Sequence, residues 1–511
     1  ANTHNLNATL DMNRLYKYIG LVKKPIRRVR SRTTTPAGGP PGPDQRKAKP
    51  PKTKNQSVTK LLNAGVDILT TIKRIQVNYS ENNGTFLPGY LQTPGFIGTL
   101  KPTTGFTFGS QSDIRYLAAR RGWLTVFPEF NQQYTATNTK QLDLSASLEP
   151  VKDLKIDVVG NRAYYENYTE NYRVNNIGNE LEYESLTPNT FGNFNISTLL
   201  IKTAFSKSDE TTSNAFNNFR SNRLVIANRL AEEFYGNSSY PTDAEGYPVG
   251  FGKNNQKVLL PSFLAAYSGQ DASKVKTSAF RDVPIPNWDL KYTGFMKFKW
   301  FKDKFKRFSL THGYRSTYTI NQFQSNLDYD INDPQALDQG GNFKNERLFS
   351  NINLTELFSP LVRIDFEMKN SVKILAEIKK DRMLSLSFDN NLMTEILGNE
   401  YIIGLGYRIK DLRIRSNLAG PSKRIVSDLN MKADISVRDN KTIIRYLDLE
   451  NNQVTSGQTI WGLKYSADYA FSKNLTGIFY FDYSFSEYAI STAFPQTTIR
   501  SGFTIRYNFG N

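Results

Sequence analysis

Apolar and polar residues alternate with a period of two along much of this chain of 511 residues. The last segment shows it most regularly. Ile499, Ser501, Phe503, Ile505, Tyr507 and Phe509 fall on one phase; Thr498, Arg500, Gly502, Thr504, Arg506 and Asn508 fall on the other. Successive side chains of a strand point to opposite faces, so this pattern predicts a strand that is dry on one side and wet on the other. The same reading applies to Trp461, Leu463, Tyr465, Ala467, Tyr469 and Phe471, and to Leu475, Phe479, Phe481, Tyr483 and Phe485. Further groups in phase are 308–320, 362–368, 372–378, 384–388, 403–409 and 429–437. Soluble strands average about 5–6 residues, whereas a tilted transmembrane strand needs about 9–11. The segments 461–471, 475–485 and 499–509 each alternate for eleven residues, which disfavours a soluble β-sandwich. The predicted fold is all-β: a large antiparallel transmembrane β-barrel of about seventeen strands in this chain, with a few inserted amphipathic helices and long loops.

Six regions follow. Residues 1–22 read as a barrel strand, with Leu6, Ala8, Leu10, Met12 and Tyr16 in phase. Residues 23–57 read as a basic, Pro-rich disordered loop, because proline, glycine and like charge cannot build a core. Residues 58–73 read as an amphipathic helix carrying Val58, Leu61, Leu62, Leu69 and Ile72. Residues 74–210 read as barrel strands with glycine-rich loops, 81–140 being irregular. Residues 211–286 read as a helical insertion, with Phe216, Phe219, Ile226, Leu230 and Phe234 on one side. Residues 287–511 read as barrel strands up to the closing one. The apolar faces of the helices are expected to pack against the inner wall of the barrel.

Composition refines this picture. The formal net charge is +18, and residues 23–54 supply more than half of it, with eleven Lys and Arg against one Asp. Nucleic-acid modules usually add aromatic stacking to such charge. Residues 23–56 contain no aromatic residue, so a solvated loop or an anchor to acidic partners or headgroups is preferred and no nucleic-acid partner is expected. Lys297, Lys299, Lys302, Lys304, Lys306 and Arg307 instead interleave with Phe298, Trp300, Phe301 and Phe305, a mixture that suits a membrane interface. Cysteine is absent, which excludes disulfides and thiol chemistry. No run of about 18 apolar residues predicts a spanning helix, but a barrel strand needs only alternate apolar positions. No signal peptide follows Ala1; an outer-membrane protein needs one, so it is expected to have been removed, or to precede this chain in a longer polypeptide.

Catalytic patterns fail. His4 and His312 are far apart in sequence, and His312 lies in phase with Leu310 and Tyr314. No zinc-ligand spacing occurs. Gly246, Gly250, Gly252 and Lys253 resemble a phosphate loop only faintly, since Asn254 stands where Ser or Thr is needed. Asp328, Asp330 and Asn332 start like a calcium loop, but Asp333 takes the Gly position and Gln339 the Glu position. The chain is therefore expected to be no enzyme, with no catalytic, cofactor-binding or metal residues and no cofactor.

Several stretches carry a more specific signal. NYSENNGTFLPGY at 78–90, GSQSDIRYLAARRGWLT at 109–125, SLTHGYRSTYTI at 309–320, ELFSPLVRIDFEMKNSVKILAEIKKDRMLSLSF at 356–388, YIIGLGYRIKDLRI at 401–414 and RDNKTIIRYLDLENNQVTSGQTI at 438–460 together resemble the SprA/Sov family. That family forms the outer-membrane translocon barrel of the type 9 secretion system. The resemblance implies that this chain is the C-terminal part of a 36-stranded barrel in the cell outer membrane, exporting folded cargo with C-terminal signal domains. It also implies the partners: the rest of the same barrel polypeptide, the lipid bilayer, a PorV-type outer-membrane shuttle barrel, a plug protein, periplasmic accessory proteins and the cargo. The alternative reading is a self-contained porin-like or substrate-specific outer-membrane channel.

Overall fold

The computed structural model describes residues 1–21, 63, 65–66, 69–92, 103–178, 180–415, 424–449, 451–472, 474–490 and 493–509. The basic loop expected over 23–57, and most of the helix expected over 58–73, lie outside the described residues.

Among the described residues, fifteen strands form one antiparallel sheet. In chain order they are β1 (Asn2–Asp11), β2 (Ile72–Phe86), β3 (Tyr134–Leu148), β4 (Leu154–Ile177), β5 (Glu180–Ser197), β6 (Asn287–Tyr292), β7 (Phe305–Ser325) and β8 (Arg347–Phe349). The series continues with β9 (Asn351–Met368), β10 (Val372–Ser387), β11 (Leu392–Arg415), β12 (Arg424–Tyr446), β13 (Gln453–Ala470), β14 (Leu475–Tyr488) and β15 (Gln496–Tyr507). The helices are α1 (Met12–Tyr18), α2 (Thr104–Thr107), α3 (Arg115–Arg120), α4 (Asn214–Tyr235), α5 (Gln256–Ser268) and α6 (Lys299–Lys304).

Sequential neighbours pair from β1 to β15, but only thirteen strands lie on that path. β8 is a short extension beside β9, both pairing with β7. β5 and β6 share one position between β4 and β7: β4 pairs with β5 through residues 162–177 and with β6 through residues 154–159. They run in the same direction, so they are one strand interrupted by residues 198–286. Side chains take up ladder groups at the break. Asn161 N donates to Ser197 Oγ (3.1 Å), and Ser316 N donates to Asn287 Oδ1 (2.8 Å).

Fifteen strands lie among the described residues, against about seventeen expected for the chain. The two phased groups 372–378 and 384–388 fall largely in one strand, β10. Lys380 and Arg382 interrupt its apolar phase and look like a turn, yet Arg382 is buried in the ion pair with Glu356 described below. Residues 1–22 are also not all strand. Asp11 accepts a hydrogen bond from Asn13 N and caps α1; Met12 and Tyr16, four apart, satisfy a helical period as well as an alternating one. The irregular stretch is 87–133 rather than 81–140. Asn82, Asn83, Thr137, Asn138 and Thr139 are polar on both faces, so that end of the β2–β3 hairpin carries no amphipathic signal.

The insertion starts earlier than 211, at 198. Ser213 caps α4 by accepting from Phe216 N, and the helix ends at Gly236 in the left-handed region (φ 69°). Asn255 caps α5, and Gly269 (φ 64°) ends it the same way. The main core joins these helices to the sheet: Phe216, Phe219, Leu259 and Phe263 pack with Tyr318, Ile320, Ile352, Leu354, Leu384, Leu386 and Met393.

Candidate membrane wall and outer collar

Residues directly opposite in register share a face of the sheet, and so do alternate residues along a strand. The register therefore assigns every strand residue to one of two faces. One row runs Leu10–Ile75–Ala146–Val158–Trp288. On the other flank a row runs Leu310–Ile364–Ala376–Ile403–Ile435–Leu463–Tyr483–Ile499. Trp288 and Leu290 pair with Tyr314 and His312 of β7, which joins the two rows into one apolar band. Much of the band faces solvent: Leu6, Leu10, Ile403, Leu405, Ile435, Trp461, Ile499, Phe503 and Ile505 are all exposed. Thirteen positions about 4.8 Å apart, in a band about 25 Å tall, give on the order of 1,500 Å². Exposed patches on soluble monomers reach only about 300–600 Å². No helix among the described residues is long and apolar enough to cross a membrane, which says nothing about crossing by strands.

The opposite face is mainly polar, with a few apolar residues such as Leu375, Ile402 and Ile460. On β1–β3 it presents Thr3, Asn5, Asn7 and Thr9, then Gln76, Asn78 and Ser80, then Thr137, Thr139, Gln141 and Ser145. On β9–β12 it carries charges of both signs, paired across strands. Lys379 meets Glu400 at 3.2 Å, Arg438 meets Asp381 at 3.1 Å and Glu400 at 3.6 Å, and Arg363 meets Glu377 at 3.9 Å. Such pairs contribute little stability, about 0–1 kcal/mol each; they leave a wettable wall without a dominant charge.

The strands outrun the band. β4 and β11 are each 24 residues long, more than twice the roughly 9–11 a bilayer requires. The connections 87–133 and 326–346 sit at one end of the sheet, with the short turns 178–179 and 388–391; at the other end lie the short turns 149–153 and 369–371 together with 12–71, which joins β1 to β2. Next to the turns 149–153 and 369–371 lies the basic aromatic cluster. Phe295, Phe301, Phe305, Phe308 and Phe366 pack edge to face or stacked. Lys304 lies 4.9 Å over Trp300, and Lys306 pairs with Glu367 at 3.1 Å.

Packing against the inner wall was expected from sequence, but the helices do not pack on the polar face. Leu384 and Leu386 of β10 share parity with Ile374 and Ile378, and pairing with β11 shows no register shift along β10. The insertion therefore covers the same face as the apolar band, farther along the strands, as a collar. Two buried ion pairs clamp it there. Arg445 Nε donates to Glu395 Oε2 (2.8 Å), and Arg445 Nη2 donates to Ser208 Oγ and the Asp209 carbonyl. Arg382 donates to Glu356 (2.8 Å) and to Thr203 Oγ1 and O, while Tyr314 OH donates to Glu356 (2.9 Å). The sequence reading missed all four charged residues. Their signal was charge on the apolar phase of a strand.

The 103–133 segment is tied to the sheet through Glu170 of β4. That carboxylate accepts from Arg115, Tyr168, Tyr183 and Ser185. Arg115→Met leaves it three hydroxyl donors, so a loss of about 1–3 kcal/mol is expected, read as faster proteolysis within 103–133 with β9–β15 unaffected.

His312 is a packing residue: its Nδ1 lies 2.7 Å from the Leu361 carbonyl, and its ring meets Trp288 and Phe358. His4 faces Glu81 in the β1–β2 register, far along the sheet. Lys253 is paired with Glu245 at 2.8 Å, and a side chain at Gly250 would collide with the Phe343 ring, so 246–253 is a packed turn. Asp330 accepts from Asn332 N at 2.8 Å within a local turn. No protein-family model matches the chain, and no curated protein matches it either.

Proposed function

We propose that this chain is part of the wall of an outer-membrane, protein-conducting barrel: the translocon of the type 9 secretion system, of the SprA/Sov kind. The carrying observation is the two-faced sheet, with a continuous exposed apolar band on one side and hydroxyl, amide and paired charge on the other. An apolar face of this size belongs in hydrocarbon, and a polar wall belongs beside water. On this reading the apolar band meets lipid, and the polar wall lets a folded cargo slide past without apolar or single-sign capture.

Among the described residues β1 and β15 each pair on one side only. An unpaired edge in hydrocarbon costs several kcal/mol for each unsatisfied group, which favours a larger barrel completed by further strands over a self-contained porin-like channel. The plug, the PorV-type shuttle barrel and the periplasmic accessory proteins belong to the same proposal. Depletion of the protein in its host is expected to trap cargo with C-terminal signal domains in the periplasm. Normal arrival of that cargo at the surface would refute the reading.

A further inference from the structure

The interrupted strand leaves a cleft of about 300 Å³ where β5 ends. Ile196 and Ser197 form one side, Leu264 and Ser268 of α5 another, and the returning segment 281–285 the third. Its height is set by packing: a side chain at Gly160 would meet Pro284 at 3.5 Å. Gly160 is the next residue after Val158 on the apolar-band face, so the cleft opens at the upper rim of the band. Val283 and Ile285 at its mouth are exposed.

The cleft is apolar below and cationic within. Arg281 and Lys276 line it beside a single acid, Asp282. Burial pushes the Arg281 guanidinium down from its ordinary value, and Tyr318 and Asp282 offset this only partly. Its side chain makes no hydrogen bond or ion pair with the described residues. The neighbouring Arg229, by contrast, is held by the Ala272 and Val275 carbonyls at 2.6 and 3.0 Å. Lys276 reaches Asp282 only at 4.0 Å, with both side chains largely in solvent. Ser268 Oγ is buried and also lacks a partner among the described residues. A desolvated arginine without an anion is costly, and its planar fork matches a phosphate.

We propose that this cleft binds the phosphate of a bilayer lipid headgroup, with Arg281 as the principal donor, Lys276 as the second cation and the acyl chains descending over Val283 and Ile285 onto the band. The volume fits a headgroup rather than a whole lipid, and basic pockets at membrane height are suited to such groups. Bound lipid would seat the collar on the bilayer surface. The proposal rests on the membrane reading above, but the two fail separately, because headgroup binding is measured in detergent and the band is tested by substitution.

The experiment titrates the intact barrel in neutral detergent with short-chain phosphatidylglycerol, and in parallel with inorganic phosphate and short-chain phosphatidylcholine. Bound lipid is counted by native mass spectrometry. The expected result is saturable phosphatidylglycerol binding, weakened about tenfold by Arg281→Gln or by Lys276→Gln, the size of one charge-assisted hydrogen bond of about 1.4 kcal/mol. Arg281→Lys should retain most of the binding, and Lys274→Gln, outside the cleft lining, should leave it unchanged. Lys276 is exposed, so its variant reports on binding even if Arg281→Gln misfolds. Unchanged binding in Lys276→Gln and Arg281→Gln overturns the site. Equal affinity for inorganic phosphate and for the lipid overturns the lipid assignment.

Discussion

Ile435→Arg is expected to destabilise the inserted barrel by about 2–4 kcal/mol, the depth-dependent cost of Arg on the lipid face near the bilayer midplane. Ile435 lies between Ile403 and Leu463 in the band and is exposed. Its neighbour Ser436, opposite Ile402 and Gly462, is on the polar wall. Ser436→Arg places the same charge one residue away, where water and paired charges receive it, and is expected to cost under about 1 kcal/mol. The measurement is the denaturant midpoint of the heat-modifiable, folded form for the two variants. Similar losses from both would remove the membrane assignment of the band.

Glu395→Ala is expected to release the collar at a cost of about 3–5 kcal/mol. Arg445 and Glu395 are both fully buried, and Arg445 Nη1 and Glu395 Oε1 have no hydrogen-bond partner among the described residues. Desolvation of each ion therefore nearly offsets their attraction, and the large effect of a single substitution comes from the unpaired charge left behind. Replacing both partners, as in Glu395→Leu with Arg445→Met, is then expected to recover most of the loss. Hydrogen exchange in α4 and α5 is the readout: fast in the single variant and slow in the double one, with β13–β15 unchanged throughout. A double variant as loose as the single one would show that the pair stabilises the collar by more than mutual neutralisation.

The legibility of this chain follows from the distance over which each feature is encoded. Strands β11–β15 could be read directly because their band residues alternate without interruption. Helix α4 was legible from Phe216, Phe219 and Ile226, which lie on one stripe and are all buried. α1 was misread because two apolar residues four apart satisfy both periods. The upper half of β10 was misread because Arg382 occupies an apolar position, and only Glu356, from a different strand, makes that tolerable. The middle of the β5–β6 strand could not be recognised at all, since its halves are separated by the whole insertion and meet only through their shared neighbours β4 and β7.

The sequence by itself determined the antiparallel strands, their two-faced character and the helical nature of the insertion, because alternation, caps and turn residues act between positions a few residues apart. Which face the insertion covers, which strand it interrupts and which charges may be buried were decided by the tertiary structure. Those outcomes depend on register between strands and on desolvation. Both are properties of groups brought together from distant parts of the chain, and no local period records them.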